Sequence, residues 1–148
     1  SSDLGPIGIV AGGIGLAPMI YLCNSLHNNI DFYVGFRERS FCTDEIKKCV
    51  ENLYISTDSG LEGHSGLITE IFEPEKYDVV YTCGPVPMMK KVVDMCSEKN
   101  IPVYISMERR MACGIGACLG CSIETSLGMK KVCKDGPVFK GEEVFFND

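Results

Sequence analysis

Residues 113–133 hold four cysteines in the order Cys113-x4-Cys118-x2-Cys121-x11-Cys133, and this spacing constrains the chain more than any other feature. Three thiols crowd one loop, and the fourth comes from beyond it. Structural zinc sites usually pair two short Cys-x2–4-Cys knuckles. Three close thiols followed by a distant one is instead the spacing of a plant-type [2Fe–2S] cluster. The gap residues suit the same ligand. Gly114, Gly116 and Gly120 permit the dihedrals by which a loop turns its N–H groups onto sulfur. Small Ala112 and Ala117, with Ile115 and Leu119, are expected to keep water off one side. Cys113, Cys118, Cys121 and Cys133 are therefore the candidate metal ligands, with zinc and paired disulfides as the alternative readings.

The chain has nine cysteines in all. The other five (Cys23, Cys42, Cys49, Cys83 and Cys96) are scattered through the first hundred residues, several of them on apolar stripes. A secreted disulfide scaffold would be smaller and less regularly patterned. The expected setting is a reducing cytoplasm, with free thiols early and ligands late. A net charge of −6, with no basic run to offset it, argues against nucleic acid as a partner. No apolar run reaches the roughly 18 residues of a membrane span, so no membrane association is expected either.

Residues 1–107 alternate short apolar runs with amphipathic stretches. The runs are IGIVAG (7–12), IDFYVGF (30–36), NLYIST (52–57), YDVVYTCG (77–84) and IPVYISM (101–107). They are rich in Val, Ile and Tyr and mostly do not alternate, as buried parallel strands should. Helices are expected between them over Pro18–His27, from an N-cap at Thr43, briefly over Gly66–Phe72, and over Pro87–Glu98. In the last of these, Met89, Val92, Val93 and Cys96 fall at i, i+3, i+4 and i+7. Five such units predict an α/β fold with a doubly wound, five-stranded parallel sheet, a nucleotide-binding domain over 1–107. Residues 108–148 then read as a small cluster-binding appendage. It holds a hairpin (CSIET, a turn, MKKVC) and a turn-rich tail, and its shape is expected to come from its ligands rather than from a core.

VAGGIGLAPM (10–19) follows the first strand and opens the first helix. Gly12, Gly13 and Gly15 let the backbone approach a pyrophosphate, which the free N–H groups of the helix start stabilise. The third fingerprint glycine is replaced by Pro18, which suits a first helical turn. CGPVPMM (83–89) ends the fourth strand, next to the first, where ligands of such sheets bind. Cys83 there is either packing or a group set against a reacting cofactor.

GGIGLAP and CGPVPM, with FRERS (36–40) and TDSGLEGHSGLITEIF (57–72), resemble the pyridine-nucleotide domain of ferredoxin–NADP reductase-like flavoenzymes. The resemblance implies pyrophosphate binding at Gly12, Gly13, Gly15 and Pro18. It implies a place beside the nicotinamide for Cys83, Gly84 and Pro85. SMERRMACGIGACLGCSIE with VCKDGPVF is similar to the electron-transfer subunits of the two-subunit, NAD-dependent dihydroorotate dehydrogenases, and extends the likeness over nearly the whole chain. That family implies a [2Fe–2S] cluster, NAD and FAD, a role in pyrimidine biosynthesis, and a catalytic flavoprotein subunit as partner in a heterotetramer. It also implies an FAD-binding barrel ahead of the nucleotide domain, so the chain is expected to be the C-terminal portion of a longer subunit and inactive alone. A reductase chain of a hydrogenase or oxygenase is the alternative within the fold, and a zinc-stabilised nucleotide-binding module the alternative outside it.

Glu108, at the end of the fifth strand, is the second candidate catalytic residue, with nicotinamide orientation as its role. Arg37 after the second strand suits a 2′-phosphate, whereas Glu38 suits a free 2′-hydroxyl. Arg109 and Arg110 either raise a cluster potential or are simply exposed. His27 and His64 are given no chemistry. The aromatic pair at 145–146 is read as packing on the appendage or touching a partner.

Overall fold

The computed structural model describes residues 5–146; residues 1–4 and 147–148, at the outer ends of the two expected units, lie outside the described residues. The five apolar runs all become parallel strands: β1 (Ile7–Gly12), β2 (Ile30–Phe36), β3 (Asn52–Thr57), β5 (Val79–Cys83) and β6 (Val103–Ser106). A two-residue strand β4 (His64–Ser65) extends one edge, and β9 (Val138–Lys140) closes the other, giving the order β4-β3-β2-β1-β5-β6-β9. β9 runs antiparallel, with Phe139 opposite Ile105. The order reverses at β1, which lies between β2 and β5, and the crevice of a doubly wound sheet opens there.

Period-two alternation along β1 divides the core. Ile7, Ile9 and Ala11 face α1 (Leu16–Ser25) and α2 (Thr43–Lys47), packing with Met19, Cys23 and Ile46. Val10 faces the other way with Val80 and Ile105, under α3 (Val86–Glu98). The α3 stripe Met89, Val92, Val93 and Cys96 is fully inside, each residue at most 2% exposed. Tyr33 also lies in this layer. Its hydroxyl shares a 2.7 Å hydrogen bond with Tyr77, whose hydroxyl donates to Asp31 Oδ2 at 2.9 Å.

Two expected helices come out differently. Over Gly66–Phe72 there is only a 3-10 turn at Ile68–Glu70, because Gly66 sits at φ +122° and Leu67 is extended at φ −79°, ψ 138°. Thr43 does not cap α2: it is the first helical residue, and the left-handed Cys42 precedes it with no side-chain cap.

The hairpin forms as β7 (Ser122–Thr125) and β8 (Gly128–Lys131), followed by the single turns α4 (Val132–Asp135) and α5 (Gly141–Val144). The expectation that ligands alone shape the segment after Met107 is corrected here. Ile123, Val132 and Phe139 are buried in the same cluster as Val10 and Met89, and β9 pairs with β6. Apolar burial therefore holds this segment onto the sheet. Phe145 packs against that core, whereas Phe146 is 36% exposed.

Candidate functional site

The glycine loop is tied to the end of β5 by direct backbone approach. Residues 13–15 form a 3-10 turn leading into α1, and Pro18 is the third residue of that helix, inside the turn whose N–H groups have no helical partner. A Cβ on Gly15 would collide with the carbonyl of Cys83. At Gly12 a Cβ would lie 2.8 Å from Met88 Sδ and 3.0 Å from Pro85 Cδ. The two loops singled out in the sequence are thus one structure, and glycine is what lets them meet.

Beside them lies a cleft of about 770 Å³ at the carboxyl ends of β1, β2 and β3. Gly12, Gly13 and Pro85 line it, as do Arg37 and Glu38, both exposed. Phe41, Leu67 and Met88 give it apolar walls, and Lys91 adds a cation. The sequence assigned no role to Phe41, Leu67 or Met88, and Lys91 read only as part of a solvated face. The signal available for Phe41 and Leu67 was positional, since both follow strands whose carboxyl ends meet the crevice. Gly15, Pro18, Gly84, Cys83 and Glu108 are not in its lining.

Cys83 is fully buried at the end of β5, and its Sγ lies 4.0 Å from Oε1 of exposed Glu108. Burial pushes the Cys83 thiol up to about 11, and the Glu108 carboxylate adds to the rise, while a hydrogen bond from Ser106 opposes it. Cys83 is therefore a neutral thiol at physiological pH.

The cysteine loop, residues 111–121, follows β6 and lies outside the core except at Cys121, which is buried in it. Gly114 and Gly116 adopt φ +69° and +78°, and Leu119 joins them at +61°. The backbone N–H of Cys118 points at Cys113 Sγ (3.4 Å), and that of Cys133 at Cys121 Sγ (3.4 Å). These contacts favour thiolate. The N–H of Cys118, then that of Ile115, bring the Cys113 thiol down to about 6. The N–H of Cys133 lowers Cys121, whose thiol in turn raises Cys133. All nine cysteines are free. The four late thiols lie as two pairs, 113 with 118 and 121 with 133. Among the described residues no three His, Cys, Asp or Glu side chains are gathered closely enough to hold a single metal ion. The donor set still fits a sulfide-bridged cluster: four thiols, with amide groups turned toward the sulfurs. The expected water shield is absent from this chain, since Ile115 is 74% and Leu119 60% exposed.

His64 pairs with Glu70, Nε2 to Oε2 at 2.8 Å, away from the cysteines. No helix among the described residues is long and apolar enough to cross a membrane.

Comparison with known proteins gives these features a family. The iron–sulfur cluster binding domain of dihydroorotate dehydrogenase B matches residues 108–145. The electron transfer subunit of dihydroorotate dehydrogenase B (NAD(+)) from Clostridium acetobutylicum is 54% identical over 145 residues, covering 97% of this chain and 59% of the relative. Its counterpart from Clostridium perfringens is 52% identical over 151 residues, covering 99% and 61%. The chain thus spans about three-fifths of the length of the curated relatives it matches. Among solved structures, the NADH-dependent reduced ferredoxin-NADP oxidoreductase described for flavin-based electron bifurcation matches with TM-score 0.83 and 30% identity, over 96% of this chain and 54% of that one. By sequence across nearly its whole length and by its fold, this chain is similar to a portion of the dihydroorotate dehydrogenase B electron-transfer subunits.

Proposed function

We propose that this chain is the nucleotide- and cluster-binding portion of a subunit that carries electrons from dihydroorotate oxidation to NAD⁺. The observation that carries the reading is the four-thiol loop, with its amides turned onto sulfur, leaving the strand next to the Cys83 loop. The two units divide the work: residues 1–107 bind NAD, and residues 108–148 bind a [2Fe–2S] cluster through Cys113, Cys118, Cys121 and Cys133. When bound, the cluster supplies one-electron transfer between two-electron centres, and FAD collects electron pairs for hydride delivery.

This chain's own residues bind and orient. Gly12, Gly13 and Gly15 expose backbone N–H groups to the pyrophosphate, and Pro18 holds the first helical turn in register. Gly84 and Pro85 shape the loop against Gly12. Cys83, a neutral thiol buried at the end of β5, backs the nicotinamide subsite from inside the sheet, and Glu108, exposed just beyond β6, orients that ring. Glu38 accepts the free 2′-hydroxyl that distinguishes NAD from NADP. FAD is held mostly by chain beyond these 148 residues. The partner is a dihydroorotate-oxidising flavoprotein subunit, in a cytoplasmic heterotetramer serving pyrimidine biosynthesis.

The test is reconstitution of the full-length subunit with its catalytic partner under anaerobic conditions. NADH formed mole for mole with orotate supports the reading. A complex that oxidises dihydroorotate with artificial acceptors but never reduces NAD⁺ contradicts it.

A further inference from the structure

One wall of the cleft, residues 37–41, belongs to no helix or strand. Arg37, Glu38, Arg39 and Phe41 line the cleft from it, and all four are exposed. Arg37 and Glu38 make no ion pair among the described residues, so their side chains do not hold the segment in place. Two other contacts do. Phe41 packs edge-on against Phe36, with ring centroids 4.9 Å apart. The backbone N–H of Ser40, between Arg39 and Phe41, donates to Glu62 Oε2 at 3.0 Å. Glu62 comes from the neighbouring loop, which is firmly built. Its N–H donates to Thr57 Oγ1 at 3.2 Å, and the Thr57 hydroxyl donates to the Glu62 carbonyl at 3.0 Å. Thr57 is fully buried at the end of β3, and its carbonyl accepts the Gly66 N–H at 3.1 Å, closing the loop. A Cβ at Gly63 would collide with the carbonyl of Ile55, so the loop lies directly on the strand. The Ser40 hydroxyl, then its N–H, hold the Glu62 carboxyl below the usual carboxylate range. The acceptor is therefore charged at physiological pH, and hydrogen bonds to a charged acceptor are the strong ones.

Arg37 suits a 2′-phosphate and Glu38 a free 2′-hydroxyl, so the side chain that meets the ribose depends on how residues 37–41 sit. We propose that Glu62 is a positioning residue for the nucleotide: by holding the Ser40 N–H it sets this segment so that Glu38 meets the ribose, and so favours NAD⁺ over NADP⁺. The proposal rests on the function proposed above. Glu62 is not in the lining of the cleft and acts through Ser40. Glu62→Ala removes the carboxylate but keeps both main-chain bonds to Thr57, so the loop stays folded while the tie to Ser40 is lost.

Steady-state reduction of NAD⁺ and of NADP⁺ by the full-length subunit, reconstituted with its catalytic partner under anaerobic conditions, tests it. Glu62→Ala should raise KM for NAD⁺ about tenfold with kcat within about twofold of the parent, the signature of lost ground-state binding. The ratio of kcat/KM for NAD⁺ to that for NADP⁺ should fall about tenfold. Glu62→Gln, whose amide oxygen still accepts the Ser40 N–H, should stay within about threefold of the parent in both. Glu51→Ala, at the amino end of β3 and so at the opposite end of the sheet, should change neither. Melting temperature and iron content are read on every variant. Unchanged KM and unchanged discrimination in Glu62→Ala would overturn the proposal and leave the proposed function standing. A drop in melting temperature and kcat together, with the nucleotide preference intact, would also overturn it, since Glu62 would then serve the fold alone. A parent complex that oxidises dihydroorotate but reduces neither nucleotide would overturn the proposed function itself.

Discussion

Two glycine-rich loops carry the chemistry proposed for this chain, and they are built in opposite ways. Residues 12–15 are pinned: Gly12 and Gly15 are buried, and the space a side chain would need is already filled by Cys83, Pro85 and Met88. Residues 111–120 stand outside the core, and a Cβ at Gly114 would meet nothing within 4 Å. Glycine serves close approach in the first loop and left-handed backbone in the second. The first is held by the packed sheet whether or not a ligand is present. The second is anchored at its base, where Cys121 and Val132 are buried, while its crest is exposed.

The largest effect that separates the loops is expected from Cys118→Ser. Loss of one of four thiolate ligands should take iron and sulfide from about two of each per chain to near zero, while NAD binding to the same protein persists. Loss of nucleotide binding together with iron would show that the loops are not independent. Next, Gly15→Val should destabilise the fold by about 2–4 kcal/mol, since its side chain meets backbone that cannot yield, and should abolish NAD binding. Gly114→Ala, with open space but φ +69°, should cost only about 1 kcal/mol of backbone strain. Urea titration of the pair measures the difference directly.

A smaller effect is expected at Cys83. Cys83→Ala should lower kcat for NAD⁺ reduction by about tenfold with little change in KM, the signature of a group that acts beside the reacting ring rather than in ground-state binding. Steady-state kinetics of the full complex reads both constants. An increase in KM alone would make Cys83 a packing residue.

The smallest effect is in pH. Burial lifts the thiols of Cys83 to about 11 and Cys96 to about 12, from an ordinary value of 9.0. The folded chain therefore keeps protons that the unfolded chain releases. This contribution is fully present below pH 9 and is lost as pH rises from there through 11 and 12, at up to about 1.4 kcal/mol per pH unit for each thiol. Melting temperatures between pH 8 and 11 should fall less steeply in Cys96→Ala than in the parent chain.

The parallel sheet was legible because its strands are buried on both faces, so IGIVAG and IDFYVGF read as unbroken apolar runs. The α3 stripe was legible because one helix face carries all its burial. Tertiary context decided the rest. VFK (138–140) is too short and too close to Pro137 to announce a strand, and only pairing with β6 makes it one. Ile123 and Val132 gave no sign that they share a core with Val10, since more than a hundred residues of sequence separate them. At the site, spacing identified the thiols, and the glycine and CGP motifs pointed to the crevice. The apolar walls at Phe41 and Leu67 carry no motif. The exposure of Ile115 and Leu119 reversed a reading based on side-chain type alone, because their surroundings depend on how the loop leaves the core.

The most direct test of the central claim is the iron and acid-labile sulfide content of anaerobically purified protein, with an EPR spectrum after dithionite reduction. About two irons and two sulfides per chain, with a rhombic signal, are expected if Cys113, Cys118, Cys121 and Cys133 hold a [2Fe–2S] cluster. One zinc and no sulfide, in protein never exposed to air, would contradict the electron-transfer reading and leave a nucleotide-binding domain with a structural metal.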